Sequence, residues 1–386
     1  MKIVFLGSVT DEHKIKNLSG ASVAGNKMQL SMINHLCKQP NVSVSVISIP
    51  SVAAYPTDKK LWYREVQSKL ENGCDIIEVP FINLPLIKQF MQIVAVYRIA
   101  RRVGKKQDSF LAFNLYPQIG NAVIRLKKRG YKTAAILADL PIDDDYSHSS
   151  QLIQIMNRMT ERNIRAENHL IVLNTKAIQK YHPSASYIVM EGGCEVVEDT
   201  TVPKKTGERN IIFAGRLIDY NGIDRLLEAM KYVEDKGICL DIYGSGPLQE
   251  YVEEAAKKDT RTRYHGSVDN ATMVQLQRSA WLLINPRPVN DPISQVTFPS
   301  KMFEYLTSGT PVLTTKLSGF TAEYDNLMYY CPSDTAEGIA QGINTVAKLS
   351  SDETRKRAAF AKEYVQTHKN WDVQAKRILR FLEEIE

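Results

Sequence analysis

In the segment Phe298-Pro-Ser-Lys-Met-Phe-Glu-Tyr-Leu-Thr-Ser-Gly-Thr-Pro-Val-Leu313, a cation and a carboxylate, Lys301 and Glu304, stand three residues apart. Pro299 and Ser300 just before them are residues that start helices. At this spacing both side chains share one helical face. A helix N-terminus attracts anions, because its free N–H groups and its dipole favour negative charge. Lys301 adds a cation there, and Glu304 can accept hydrogen bonds from a sugar diol. Gly309 then stops the helix, and Pro311-Val-Leu-Thr-Thr315 reads as a buried strand. Phosphate charge beside a diol acceptor is the chemistry of a nucleotide-sugar site. An ordinary crossover helix with a surface Lys–Glu pair has the same local signature, so the neighbouring segments must decide.

Three other segments place similar chemistry after strand-like runs. Ile212-Phe-Ala-Gly215-Arg216 ends a strand in a glycine and a guanidinium whose fork can grip two phosphate oxygens. Tyr243-Gly244-Ser-Gly-Pro ends another with glycines that let backbone approach a ligand. Asn285-Pro-Arg287-Pro ends a third, and Lys316-Leu-Ser-Gly319-Phe320 follows the strand after Gly309. Ligands of parallel sheets bind at carboxyl strand ends, so a shared crevice accounts for this recurrence; chance placement of loop residues is the alternative. Near the amino end, Asn17–Asn26 contains Gly20, Gly25 and Asn26 but lacks the Gly-x-Gly-x-x-Gly spacing of a dinucleotide loop. It suits a small-residue loop that closes over a substrate. Asp139 sits where a strand opens into a loop and could serve as a base or a hydroxyl ligand. The run Asp143-Asp-Asp145 reads as a solvated acidic loop, because adjacent carboxylates cannot all point inward.

The elements that must position these residues alternate. Strand-like runs at 3–6, 42–47, 76–79, 134–137 and 170–173 are separated by helical stretches at 27–38, 119–129 and 149–168. A second series, at 210–214, 239–243, 280–284 and 311–314, is filled by helices at 222–236, 247–258 and 272–279. Such alternation predicts parallel, doubly wound sheets. A chain of 386 residues exceeds one typical core. The restart near Asn210, after polar Val202–Arg209, predicts a first domain over 1–203 and a second over 204–365. The last helix, about 366–386, is expected to pack back onto the first domain. Hydrophobic content of 44% and charged content of 24% suit a soluble globular protein. The five scattered cysteines read as reduced thiols, and neither they nor the seven histidines show metal-ligand spacing. The apolar start reads as a first strand rather than a signal peptide, and no apolar run approaches the roughly 20 residues of a spanning helix. The net charge of +6 is concentrated: between residues 85 and 132 eleven basic residues face one acid, Asp108. Lys88, Arg98, Arg101, Arg102, Lys105 and Lys106 could meet anionic headgroups at a membrane face. A packed helix with a solvated basic tail reads the same way, whereas no nucleic-acid-binding module accompanies the charge.

Phe213-Ala-Gly-Arg-Leu217, Tyr243-Gly-Ser-Gly-Pro247, Asn285-Pro-Arg-Pro288 and the segment from Phe298 to Val312, in this order, resemble the retaining GT-B glycosyltransferases of family 4. Within it they resemble the enzymes of bacterial capsule and exopolysaccharide synthesis. The resemblance is specific over about 210–330 and thin before it. It implies an α/β GT-B fold: two Rossmann-like, doubly wound domains facing a cleft, with acceptor bound by the first and nucleotide-sugar donor by the second. It implies a metal-independent transfer with no cofactor beyond the nucleotide-sugar, its nucleotide (UDP, GDP or dTDP) being left open. The acceptor would be a lipid-linked saccharide met at the cytoplasmic membrane face through basic residues 88–132. Carried over, Arg216 and Lys301 stabilise the leaving diphosphate and Glu304 holds the ribose. Gly215, Gly244, Arg287, Ser300, Gly319 and Phe320 complete the donor site, Asp139 is the acidic member of a His-Asp pair, and Gly20, Gly25 and Asn26 form an acceptor and phosphate loop. Three positions depart from the pattern. Asn221 replaces a lysine, Val296 replaces the first glutamate of a Glu-x7-Glu pair ending at Glu304, and Ala138 replaces the histidine before Asp139. These departures keep two other readings open: a nucleotide-sugar epimerase of the same fold, and a non-catalytic partner of another transferase.

Overall fold

The computed structural model describes residues 1–11, 22–141, 151–196 and 207–385. Gly20, Asp143–Asp145 and the expected boundary at 203/204 lie outside these residues. The chain divides into two compact units, Met1–Gly193 with Trp371–Glu386, and Cys194–Asn370.

Unit 1 is built on β1 (Lys2–Gly7), β2 (Ser43–Ser48), β3 (Trp62–Tyr63), β4 (Val66–Lys69), β5 (Asp75–Glu78), β6 (Phe81–Ile82), β7 (Ser109–Phe113), β8 (Lys132–Leu137), β9 (His169–Val172) and β10 (Ser186–Val189). Its main sheet runs β10-β9-β8-β7-β1-β2-β5-β4, parallel except for the edge strand β4, while β3 and β6 form a separate two-stranded antiparallel sheet. The central strands are apolar on both faces. Ile3, Val4, Phe5 and Leu6 of β1 are all fully buried, as strands covered on both sides by crossover helices must be. The connecting helices are α1 (Val23–Cys37), α2 (Ile87–Val103), α3 (Pro117–Lys127), α4 (Gln151–Ala166) and α5 (Thr175–Tyr181).

Unit 2 carries β11 (Arg209–Ala214), β12 (Ile238–Tyr243), β13 (Thr262–Tyr264), β14 (Leu282–Asn285), β15 (Val312–Thr314) and β16 (Tyr329–Tyr330). All six are parallel, in the order β13-β12-β11-β14-β15-β16. This is the doubly wound order, whose direction of winding reverses between β11 and β14. Its helices are α6 (Ile223–Ala229), α7 (Gln249–Lys258), α8 (Asn270–Ser279), α9 (Pro292–Val296), α10 (Lys301–Thr307), α11 (Ala336–Lys348) and α12 (Ser351–His368). Ile211, Phe213, Ile242, Leu282, Ile284 and Leu313 from four strands meet Ile223, Leu226 and Ile343 from the helices in one core.

The chain then returns to unit 1 as α13 (Trp371–Glu383). Trp371, Ile378, Phe381 and Leu382 join the core of β1, β2 and α1. His35 Nδ1 lies 2.7 Å from the Asp372 carboxylate, and Gln374 donates to the Gly192 carbonyl. All five cysteines are free thiols, the sulfurs of Cys37 and Cys74 lying 3.3 Å apart.

Candidate functional site

The site of unit 2 is assembled where the winding reverses. β11 ends in Gly215-Arg216 and its neighbour β14 ends in Pro286-Arg287, so the two turns lie side by side at the carboxyl edge. The β11 turn has to pass very close to the β12 turn. Gly244 has φ +134°, and a Cβ there would stand 1.9 Å from the Gly215 carbonyl. Gly222, at φ +72°, approaches the β14 turn in the same way: a Cβ would lie 2.0 Å from the Pro286 carbonyl. Glycine is required at both places by conformation and by space.

Asn221 ties these turns together. Its Nδ2 donates to the Arg216 carbonyl at 2.8 Å, and its Oδ1 accepts from Arg287 Nε at 3.0 Å. The residue is buried, so its amide is fixed. The Arg287 guanidinium also lies 5.4 Å from the Tyr220 ring centre. Lys301 begins α10 and sends its ammonium toward the end of β11. It lies 3.4 Å from the Ala214 carbonyl and 4.5 and 5.6 Å from the Phe213 and Tyr305 ring centres. As a residue Lys301 is half-buried. Its ammonium is nonetheless surrounded by protein: burial pushes its pKa well below the ordinary lysine value, and the Arg287 charge pushes it further. Among the described residues no carboxylate pairs with it. Burial likewise lowers Arg287. Two desolvated cations that repel each other are costly unless an anion joins them. Both basic groups stand at the carboxyl end of the sheet.

The remaining donor-site candidates lie in the same unit. Gly215 adjoins Lys301, a Cβ at Gly215 lying 3.8 Å from Nζ. The Arg216 side chain is exposed at the same turn. Ser300 is exposed, has αR backbone and makes no capping bond with its side chain, so α10 starts without the cap its sequence suggests. Glu304 is half-buried in the first turn of α10, and Val296 is buried at the end of α9. Gly319 is buried after β15, and Phe320 turns inward. The Phe320 ring packs against Phe298, Tyr324 and Tyr330 at 5.3–6.5 Å between centres, and its N–H donates to the Leu317 carbonyl.

In unit 1, Asp139 follows β8 at the carboxyl edge and is exposed by surface area, yet protein crowds it enough for burial to raise its pKa. Asn26 is buried in α1 and clamps the turn after β1, donating to the Thr10 carbonyl at 2.8 Å and accepting from the Thr10 N–H at 2.9 Å. Gly25 lies in the first turn of α1 and donates its N–H to the Ser22 cap. Both polar ends of the Asn26 amide are thus occupied in shaping the loop.

The basic stretch 88–132 is less available than its charge implies. Lys88 is buried, its ammonium donating to the Val52 carbonyl, and burial lowers its pKa. Lys127 and Lys132 donate to the Ala166 and Ile385 carbonyls, and Arg102 pairs with Glu65 at 2.6 Å. Arg98, Arg101, Lys105, Lys106, Arg125, Lys128 and Arg129 remain exposed. Arg101 and Arg129 both stand 5.7 Å from the Tyr97 ring centre. At the other end of α2, Leu86, Ile87 and Phe90 are exposed apolar residues.

Sequence reasoning passed over two residues of these sites. Asn221 registered only as a missing lysine, although an amide five residues after Arg216 can reach two turns at once. Asn114, whose amide donates to Asp139, follows β7, a strand hidden within the basic stretch.

Residues 208–348 match the family model described as glycosyl transferases group 1. An uncharacterized glycosyltransferase of Methanocaldococcus jannaschii is 29% identical over 147 residues, 36% of each chain. A phosphatidyl-myo-inositol mannosyltransferase of Mycobacterium tuberculosis is 26% identical over 186 residues, 46% of this chain and 47% of that one. The matched region is thus less than half the length of these relatives. In three dimensions the likeness of fold extends over the whole chain. Sucrose-phosphate synthase of Thermosynechococcus elongatus superposes with a TM-score of 0.72 at 14% identity, over 100% of this chain and 99% of that one. HepE of Anabaena, solved with UDP, gives 0.68 at 15% identity over the full length of both. The chain therefore has the GT-B fold, and its residues 208–348 carry the sequence pattern of the group 1 glycosyl transferases.

Proposed function

We propose that this chain is a retaining glycosyltransferase that moves a sugar from a nucleoside diphosphate to a hydroxyl of a lipid-linked saccharide, without a catalytic metal. The observation that carries this reading is the placing of two desolvated basic side chains, Arg287 and Lys301, beside the Gly215-Arg216 turn within the segment that matches the group 1 model. As the bond from the sugar C1 to the diphosphate oxygen breaks, negative charge grows on the leaving group. Preorganised cations in a desolvated place stabilise that charge in the transition state. The acceptor oxygen bonds to C1 on the face the diphosphate leaves, and its proton passes to the departing phosphate oxygen. Glu304 serves the ribose hydroxyls, and Asp139 receives an acceptor hydroxyl. The likeness to HepE, which binds UDP, and to a mannosyltransferase of a phosphatidylinositol supports a nucleotide donor and a lipid-borne acceptor.

The membrane part of the reading rests on α2. Ile87, Phe90 and Arg101 recur at helical spacing, so an apolar tip and a basic end share one stripe that fits an anionic lipid face. No helix among the described residues is long and apolar enough to cross a membrane.

The test is a thermal-shift screen with UDP, GDP, dTDP and ADP, since a ligand that binds the native state raises its stability by mass action. Product analysis with the sugar of the stabilising nucleotide follows, with and without acceptor lipid extract. Stabilisation by one diphosphate and acceptor-dependent turnover are expected. Conversion of the donor alone would make the chain an epimerase, and binding without any turnover would make it a non-catalytic partner.

A further inference from the structure

Asn114 is held in a conformation that few residues adopt, in order to hold another residue. It follows β7 with φ +60°, in the left-handed region, and is buried. Its Oδ1 accepts from the backbone N–H groups of both Ala138 and Asp139, at 2.8 and 3.0 Å. Its Nδ2 donates to Asp139 Oδ2 at 2.9 Å. One amide thereby fixes the backbone entering the loop after β8 and the carboxylate at its mouth. The turn behind it is locked as well. Asn163 donates to the Leu115 carbonyl, and a Cβ at Gly120 would stand 2.5 Å from that oxygen. Asparagine takes the left-handed region more readily than other residues with a Cβ, and here that backbone turns its buried amide onto an exposed carboxylate at a carboxyl strand end.

We infer that Asn114 is the positioning residue for Asp139, holding its carboxylate in the one orientation in which it can receive a hydroxyl of the acceptor saccharide. This rests on the transferase reading above. Ala138 offers no side-chain group to orient its neighbour, and the Asn114 amide reaches across from the adjacent strand to supply one. Among the described residues, the Tyr116 hydroxyl is the other group that bonds to the Asp139 side chain. Asp143–Asp145 lie outside the described residues.

The decisive variant is Asn114→Asp. It is isosteric and keeps the acceptor for both backbone N–H groups, but it replaces the Nδ2 donor with an oxygen that faces Asp139 Oδ2. The expected result is a fall in kcat of about ten-fold or more at neutral pH, with donor KM unchanged. The acid limb of the kcat profile should move to higher pH, because a second carboxylate disfavours ionisation of the first. A profile superposable on the wild type would overturn the inference. The exchange Asn114→Asp/Asp139→Asn keeps one donor and one acceptor in the pair, so it should restore the melting temperature while activity stays low. Recovery of activity in this double variant would show that the pair serves only the fold. If the wild-type chain turns over no nucleotide-sugar, the transferase reading falls, and 13C titration of the Asp139 carboxyl still decides the point. A midpoint raised by Asn114→Asp sustains the positioning, and an unchanged midpoint refutes it.

Discussion

Replacing Lys301 by Met should make the empty protein more stable and its nucleotide binding weaker. Met matches the length of the lysine stem but carries no charge. In the structure the ammonium has one long contact, 3.4 Å to the Ala214 carbonyl, and two ring faces. The rings contribute roughly 0.5–1 kcal/mol each. Desolvating a polar group without compensating hydrogen bonds costs about 1–3 kcal/mol, and here the neighbouring Arg287 charge adds to that cost. The two rings offset about 1–2 kcal/mol of that cost, and the Arg287 repulsion tips the balance, so a net gain of up to about 2 kcal/mol is expected on removing the charge. For a unit of this size that is a rise in Tm of up to roughly 8 °C. The gain should depend on pH with a definite sign. The lysine pKa is lower folded than unfolded, so between the two values the unfolded chain holds a proton that the folded one has lost. Wild-type stability therefore rises with pH toward the ordinary lysine value of 10.5, and the advantage of Lys301→Met should shrink over the same interval. With ligand the order reverses. A charge-assisted bond to phosphate contributes about 1.5–3 kcal/mol, so the Kd for the stabilising nucleoside diphosphate should weaken roughly ten- to hundred-fold. Differential scanning fluorimetry from pH 6.5 to 9.5 and titration calorimetry in buffers of different ionisation enthalpy read both effects. The calorimetry should also show proton uptake, because the bound anion restores the lysine charge. A lower Tm together with an unchanged Kd would refute this account of Lys301.

Two further outcomes follow from the turns around it. Arg287→Ala should weaken nucleoside diphosphate binding about ten-fold or more, and adding Asn221→Lys to it should recover part of the loss, because the lysine supplies a cation at the point where Asn221 now orients one; calorimetry on the single and double variants is the check. Gly222→Ala should destabilise the protein by more than about 2 kcal/mol in urea unfolding, since its positive φ and the Pro286 carbonyl both oppose a Cβ.

The alternation of strands and helices was legible because the central strands of a parallel sheet are buried on both faces and show as apolar runs. Ile3–Leu6 and Ile211–Phe213 need no further context. Ser109–Phe113 is just as buried, yet it sits among eleven basic residues whose charge dominates the segment. Ser186–Val189, at the sheet edge, is largely exposed and carries a weak pattern. The chemistry at the ends of β11, β12 and β14 was legible from glycine and arginine after apolar runs. What each side chain does there was not. Lys88 and Arg98 look alike in sequence, but one is buried against Val52 and the other faces solvent. Phe320 reads as a loop residue and proves to be the centre of an aromatic cluster. Asn221 and Asn114 act through hydrogen bonds to residues up to 66 positions away, and no local pattern encodes such a partner.

The return of α13 to unit 1 has a consequence for how the protein comes to exist. Residues 194–370 emerge from the ribosome with every core residue of unit 2 in hand. Unit 1, although begun first, must wait for Trp371, Ile378, Phe381, Leu382 and Ile385 before its groove against α1 is filled. The core of the half that is translated first is therefore completed by residues translated after all of unit 2. A cut or a bulky fusion placed after residue 370 would strike the opposite end of the numbering from the elements it unsettles, β1, β2 and α1.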